Sequence, residues 1–264
     1  MNPLRRFAVA MCEMRWSHVV IELLLLITGI LVALAVDGWI DDRRDARLER
    51  AYLERLEQAL ERNLAILDEF VDFEQRQTAD GVLAYRALRG VSEMERERVA
   101  QALSNLANRR TLRLLRATYQ DLLSTGNLSL VRDQMLRDAI VRLYEEADRT
   151  IAIVDRNNEV VVEQAYGQPL HESGLITPRF PTNLPWLEAQ LASLRDQIDL
   201  PVDPVADRLW QLPADSAELQ LLTNRVLRRT IVSKVTYAQV EALRVQFRAM
   251  HQDLVGKLAS DRSH

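Results

Sequence analysis

The sequence predicts an all-α protein, with one N-terminal transmembrane helix followed by an antiparallel bundle of long helices. Three observations predict it. An apolar run from Val19 to Val36 is flanked by Trp16 and Trp39. Apolar residues recur at spacings of three and four over about 41–77, 133–166 and 216–258, the stripe of an amphipathic helix. The chain is 27% charged with only 8 Gly in 264 residues, so the part after the run is neither disordered nor rich in hairpins. The predicted division is a leader at 1–17, a transmembrane helix at 18–40 and a helical domain at 41–264, which contains a Pro-rich excursion at 167–214.

A helix needs roughly 20 apolar residues to cross a hydrocarbon core. Trp16 and Trp39 would sit roughly 34 Å apart at a rise of about 1.5 Å per residue, near the two interfaces that Trp rings prefer. Three rivals are weaker. A soluble core helix does not need two flanking Trp. A cleaved signal peptide, with Ala33-Leu34-Ala35 as its cleavage site, has a shorter apolar run and no Glu22. A lipoprotein signal ending at Cys12 fails because the apolar run follows that Cys. Glu22 is costly at membrane depth and is expected to face protein or to snorkel toward headgroups. At 100° per residue Glu22, Leu26, Gly29 and Ala33 share one stripe, and Gly29 and Ala33 form a small-xxx-small pair that lets helices approach. This face is the predicted helix–helix interface.

The same residues carry a resemblance. The stretch Ile21 to Leu34, with Glu22, Gly29-Ile30 and Ala33-Leu34, followed by Asp37-Gly38-Trp39, resembles an uncharacterised bacterial family of single-pass membrane proteins. The later stretch Tyr119-Gln-Asp121-Leu122, then Ser124-Thr-Gly126-Asn127-Leu128, resembles that family's second signature. The family usually has Gly where this chain has Ile21. The resemblance implies an N-terminal anchor with a basic cytoplasmic leader, and no known activity.

Residues 41 to about 77 read as a charged helix carrying Leu53, Leu56, Leu60, Leu64, Leu67 and Val71, continuous with the span. Gly81 and Gly90 bracket a short piece, 82–89. Ser92-Glu93-Met94-Glu95 fits a capping box opening a helix that runs to about Asn108. A further helix is expected to hold Leu112, Leu115 and Tyr119 and to end near Ser124. Gly126-Asn127 breaks it, with Leu128 and Leu130 dipping into the core. Asp133 caps a helix reaching about Tyr166, whose stripe is interrupted by Asn157-Asn158. Seven of the eight Pro then fall between Pro169 and Pro213, around one short helix from Trp186 to about Ile198. Asp215-Ser216-Ala217-Glu218 opens the last helix, which runs to about Leu258.

Chemistry is sparse. The four His lie far apart, and no zinc-protease pattern, phosphate loop or Gly-x-Ser-x-Gly elbow occurs. No metal, cofactor or catalytic residue is predicted, and the chain is not expected to be an enzyme. The lone Cys12 precludes an internal disulfide framework. The net charge of −4 gives no signature of nucleic-acid binding. Two basic clusters are candidates for binding small anions. One is Arg109, Arg113 and Arg116, expected on one helix face, and the other is Arg225, Arg228 and Arg229. The partners expected are membrane lipid and either a second copy or another membrane protein. Arg5, Arg6 and Arg15 favour a cytoplasmic N-terminus at a bacterial inner membrane, with the helical domain outside. Three function classes follow: a structural or interaction protein, an extracytoplasmic sensor or anion-binding module, and an auxiliary subunit of an ion- or proton-coupled complex acting through Glu22.

Overall fold

A computed structural model describes residues 16–90, 96–175, 192–194, 197 and 207–260. Helices make up the secondary structure, with no strand among the described residues. The first helix, α1, runs unbroken from Trp16 to Leu88, 73 residues and about 110 Å at ~1.5 Å per residue. The span, the charged helix and the expected short piece after Gly81 are therefore one rod. Gly81 does not break it, because this residue serves a different purpose. A Cβ built there would lie 2.0 Å from Thr230 Oγ1, so the glycine exists to let another helix approach. The true stop is Gly90, at φ +66, where Arg89 N–H reaches Tyr85 O and Gly90 N–H reaches Ala87 O.

From Leu53 onward α1 buries one seam. Leu53, Leu56, Leu60, Asn63, Leu67, Phe70, Glu74, Gln77, Gly81 and Ala84 alternate by three and four, and all are buried. That period of 3.5 keeps one face turned toward a neighbouring helix. The neighbour is the last helix, labelled α6 below and spanning Ala217–Ser260. It runs antiparallel to α1, as three pairings show: His251 meets Glu57 at 3.2 Å, Arg244 meets Asp68 at 2.7 Å, and Arg229 lies 3.9 Å from Glu74. Its cap is Ser216, whose Oγ accepts from Leu219 N–H.

The remaining elements lie against this pair. Helix α2, Arg96–Asn105, packs on α1; the expected capping box at Ser92–Glu95 lies outside the described residues. Residues 108–116 are not helical, contrary to the expectation drawn from Leu112, Leu115 and Tyr119. They alternate instead, Leu112 and Leu114 inward, Arg113 and Leu115 outward. Only Ala117–Ser124, α3, is helical there. Gly126, at φ +73, turns the chain into a single 3₁₀ turn, Asn127–Leu130. Leu128 and Leu130 are half-buried, and the residue that reaches the core is Val131.

Helix α4, Gln134–Asn157, opens as expected, with Asp133 accepting from Leu136 N–H at 3.1 Å. It continues as a π-helix, Asn158–Gly167, and then as α5, Gln168–Glu172. Pro169 is tolerated in the first turn of α5, where its missing N–H is not needed. The expected helix at 186–198, with Phe180 and Trp186, lies almost wholly outside the described residues. A second 3₁₀ turn, Asp207–Gln211, leads into α6.

Two apolar cores result. The core nearer the span joins Leu53 to Val71 of α1 with Ile140 to Val154 of α4 and Val240 to Leu258 of α6. The far core joins Ala84, α2, Tyr166, Leu170, Leu209, Leu222 and Val226. Between them lies a polar layer.

Candidate functional site

The polar layer is built where the buried stripes of α1 and α6 turn hydrophilic. Glu74 and Gln77 come from α1; Arg229, Thr230, Ser233 and Thr236 come from α6; all are buried. Arg229 is only 1% exposed, and four of the five N–H groups of its guanidinium donate hydrogen bonds. Nε donates to Leu106 O at 3.0 Å, and Nη2 donates to Gln77 Oε1 at 3.2 Å and to Asn108 O. Nη1 donates to the Ser233 hydroxyl. Glu74 Oε2, 3.9 Å from Nη1, accepts no hydrogen bond. Burial pushes the Glu74 carboxyl above its ordinary range, while Arg229 and Ser233 oppose the shift.

Arg229 is one of four buried side chains that hold the end of α2 and the extended strap that follows it, residues 108–116. Tyr166 of the π-helix donates its hydroxyl to Leu103 O at 2.7 Å. Asn158 donates to Arg110 O at 2.9 Å. Asn63 of α1 clamps Leu115 at both ends, accepting from its N–H at 2.7 Å and donating to its carbonyl at 3.0 Å. The last carbonyls of a helix and the peptide groups of an extended segment have no intrahelical partner, and a buried unpaired peptide group is costly. These four side chains supply the missing partners. The sequence interruption at Asn157-Asn158 is thereby explained: Asn158 serves the strap, and Asn157 donates to Thr236 Oγ1 at 3.1 Å.

The strap also settles where the first basic cluster lies. Arg109, Arg113 and Arg116 do not share a helix face, because their segment is extended. Each is matched outward to a carboxylate on α4 or the π-helix: Arg109 to Glu163, Arg113 to Asp155 at 3.1 Å, Arg116 to Asp148 at 2.6 Å. Arg110 pairs with Glu69 of α1. The strap is thus zipped from outside by charge and pinned from inside by hydrogen bonds. Of the second cluster, Arg229 is buried as described. Arg225 and Arg228 have no ion pair among the described residues and line a shallow groove of about 340 Å³ with Val161, Gln164, Ala165 and Pro169. The two clusters do not converge on one pocket. No group of His, Cys, Asp and Glu able to hold a metal ion occurs among the described residues.

At the other end of α1, the apolar stretch from Val20 to Ile40 is exposed throughout. It belongs to the one described helix long and apolar enough to cross a membrane, and none of its apolar window is buried. Glu22, Leu26, Gly29 and Ala33 are all exposed, and a Cβ built on Gly29 would meet no neighbouring side chain or helix within 4 Å. Thr28 satisfies its hydroxyl on Leu24 O at 2.7 Å, so it adds no free polar group to the helix surface. Trp39 is exposed with the Arg43 guanidinium 4.2 Å above its ring, while the side chain of Trp16 lies outside the described residues. No family model, curated protein or solved structure matches this chain.

Among the sites expected from the sequence the apolar face appears and the polar layer does not. The signal was present. Glu74 and Gln77 fall on the same three-and-four stripe as Leu60 and Leu67, and Arg229 and Ser233 fall on that of Val226 and Val240. Polar residues in phase with a buried stripe mark an internal polar layer.

Proposed function

We propose that this chain is a single-pass, membrane-anchored interaction protein that assembles through its transmembrane helix with a second copy or another membrane protein. One observation carries the reading. The exposed apolar half of α1 and the buried spine of the helical body are the same uninterrupted helix. Lipid covers such a stretch at no cost, but it does not satisfy Glu22. A partner helix seated on Glu22, Leu26, Gly29 and Ala33 would do so. In this reading the N-terminus is cytoplasmic and the body extracytoplasmic, at a bacterial inner membrane. The continuous rod couples events in the membrane to the polar layer roughly 50 residues further along, or about 75 Å.

The test is the mass and composition of the gently solubilised complex, wild type beside Glu22→Gln. The expected result is a discrete assembly that weakens or dissociates in the variant. A monomer in both would remove the span face as an assembly site. Topology is tested separately: a reporter active only outside the cytoplasm, fused after His264, should be active.

A further inference from the structure

Helix α6 has two apolar faces. One is buried against α1. The other consists of Ile231, Val235, Ala238, Ala242, Val245 and Ala249, alternates by four and three, and is exposed along its whole length. Gln252 and Gly256 continue it in phase toward the end nearer the span. Ile231, Val235 and Val245 are 53%, 48% and 54% exposed. Scattered surface valines need no explanation, but successive in-phase apolar layers over more than two heptads, about 27 Å of helix, do. A 3.5-residue apolar period is the pattern that keeps one helix facing another through a supercoil.

We infer that this face pairs with the same face of a second copy as a parallel, in-register, two-stranded coil. The direction rests on the membrane anchorage proposed above. Two copies hung from one membrane by α1 must run their α6 helices the same way, whereas an antiparallel pair would need anchors in facing membranes. The flanking charges agree. Lys234, Glu241 and Arg248 border the seam on one side, and Gln239, Gln246 and Asp253 border it on the other. In a parallel coil each flanking residue meets the one five positions later in the second copy. Arg248 then faces an Asp253, Lys234 a Gln239 and Glu241 a Gln246, with no like charges opposed. The alanines at 238, 242 and 249 let the two backbones approach closely. The pairing places two copies of the rod side by side, which is also the arrangement that a Glu22 interface in the membrane needs.

The test uses the full chain in lipid vesicles, with Cys12→Ser and one new cysteine at a time. Val235→Cys and Val245→Cys should each form disulfide-linked dimers on mild oxidation. Met135→Cys, fully outside the seam on α4, should not. Adding Ala242→Glu should abolish the link at position 235 without changing helix content or the melting of the body. The inference fails if neither seam cysteine links, if Met135→Cys links equally well, or if Ala242→Glu leaves linking intact. It also fails if Val235→Cys links only to an added Gln252→Cys chain, the signature of an antiparallel pair. Linking that persists in Glu22→Gln would place the pairing in the body and count against the span face alone. Loss of assembly in Glu22→Gln with silent seam cysteines would do the reverse.

Discussion

Two tyrosines, one in each core, are treated in opposite ways. Tyr144, in the core nearer the span, stacks flat on Tyr119 at 4.3 Å and meets the edge of Phe247, and its hydroxyl has no hydrogen-bond partner. Burial pushes that phenol up to about 12. Tyr166, in the far core, gives its hydroxyl to Leu103 O. The near core is packed by shape, with Leu112 and Leu114 of the strap and Tyr119 of α3 filling in among the three long helices, and one unpaired hydroxyl is tolerated because stacking outweighs it. The far core closes on the end of α2, whose last carbonyls have no intrahelical partner, so Tyr166 there and Arg229 at its border carry specific backbone bonds. The same two long helices therefore serve as a packed spine at one end and as a hydrogen-bonded clamp at the other.

The largest expected effect comes from breaking the clamp. Arg229→Ala should cost about 3–5 kcal/mol in denaturant unfolding, since it strands Glu74 and the carbonyls of Leu106 and Asn108. The double variant Arg229→Met with Glu74→Leu should recover much of that loss. A single-variant cost below about 1 kcal/mol would mean that the polar layer is not what holds the strap. Next is Gly81→Ala. Alanine normally gains about 0.5–1 kcal/mol over glycine inside a helix. Here the Thr230 contact should reverse the sign and cost about 1–3 kcal/mol. Gly256→Ala, with nothing within 4 Å, should show the ordinary gain in a monomeric sample. Equal behaviour of the two would erase the close crossing of α1 and α6.

How much of this was legible in the chain follows from the same residues. Helix starts were readable where a side chain caps locally, as at Asp133, because capping is decided within four residues; at the last helix the cap falls on Ser216, one residue past the Asp215 that the Asp215…Glu218 spacing points to. Gly81 misled because a glycine that ends a helix and a glycine that admits a neighbour look alike without the neighbour. Arg109, Arg113 and Arg116 have helical spacing, yet their segment is extended because Asn63, Asn158 and Arg229, each about 50 or more residues away, satisfy its backbone. Local propensity is a weak prior against such tertiary partners. That a helix long and apolar enough to cross a membrane starts near the N-terminus was readable, since length and composition are all that property needs.

Tyr166→Phe should lose about 1–2 kcal/mol, leaving Leu103 O unpaired, whereas Tyr144→Phe should be neutral or slightly stabilising. The smallest effect is a pH dependence. Burial raises the Glu74 carboxyl above the ordinary value of 4.5, so the folded state holds that proton more tightly than the unfolded chain. The Glu74 contribution to stability is then full below about 4.5 and falls as pH rises through the raised value. Asp133, lowered by its cap bond to Leu136, works in the opposite sense and loses its contribution only as pH falls below its ordinary 3.8. Melting curves of wild type and Glu74→Gln between pH 7 and 5 should converge at the acidic end. Parallel curves across that range would remove Glu74 from the account.

The central claim is that the apolar span and the spine of the body form one stiff helix. Paired spin labels at Leu31→Cys and Arg62→Cys, with Cys12→Ser, test it directly in full-length chain diluted with unlabelled protein in lipid bilayers. A continuous helix places the two positions about 46 Å apart along the axis, and the account predicts a single narrow distance near that value. A broad distribution, or a distance well short of it, would show a joint between membrane and body and contradict the coupling on which the proposed function depends.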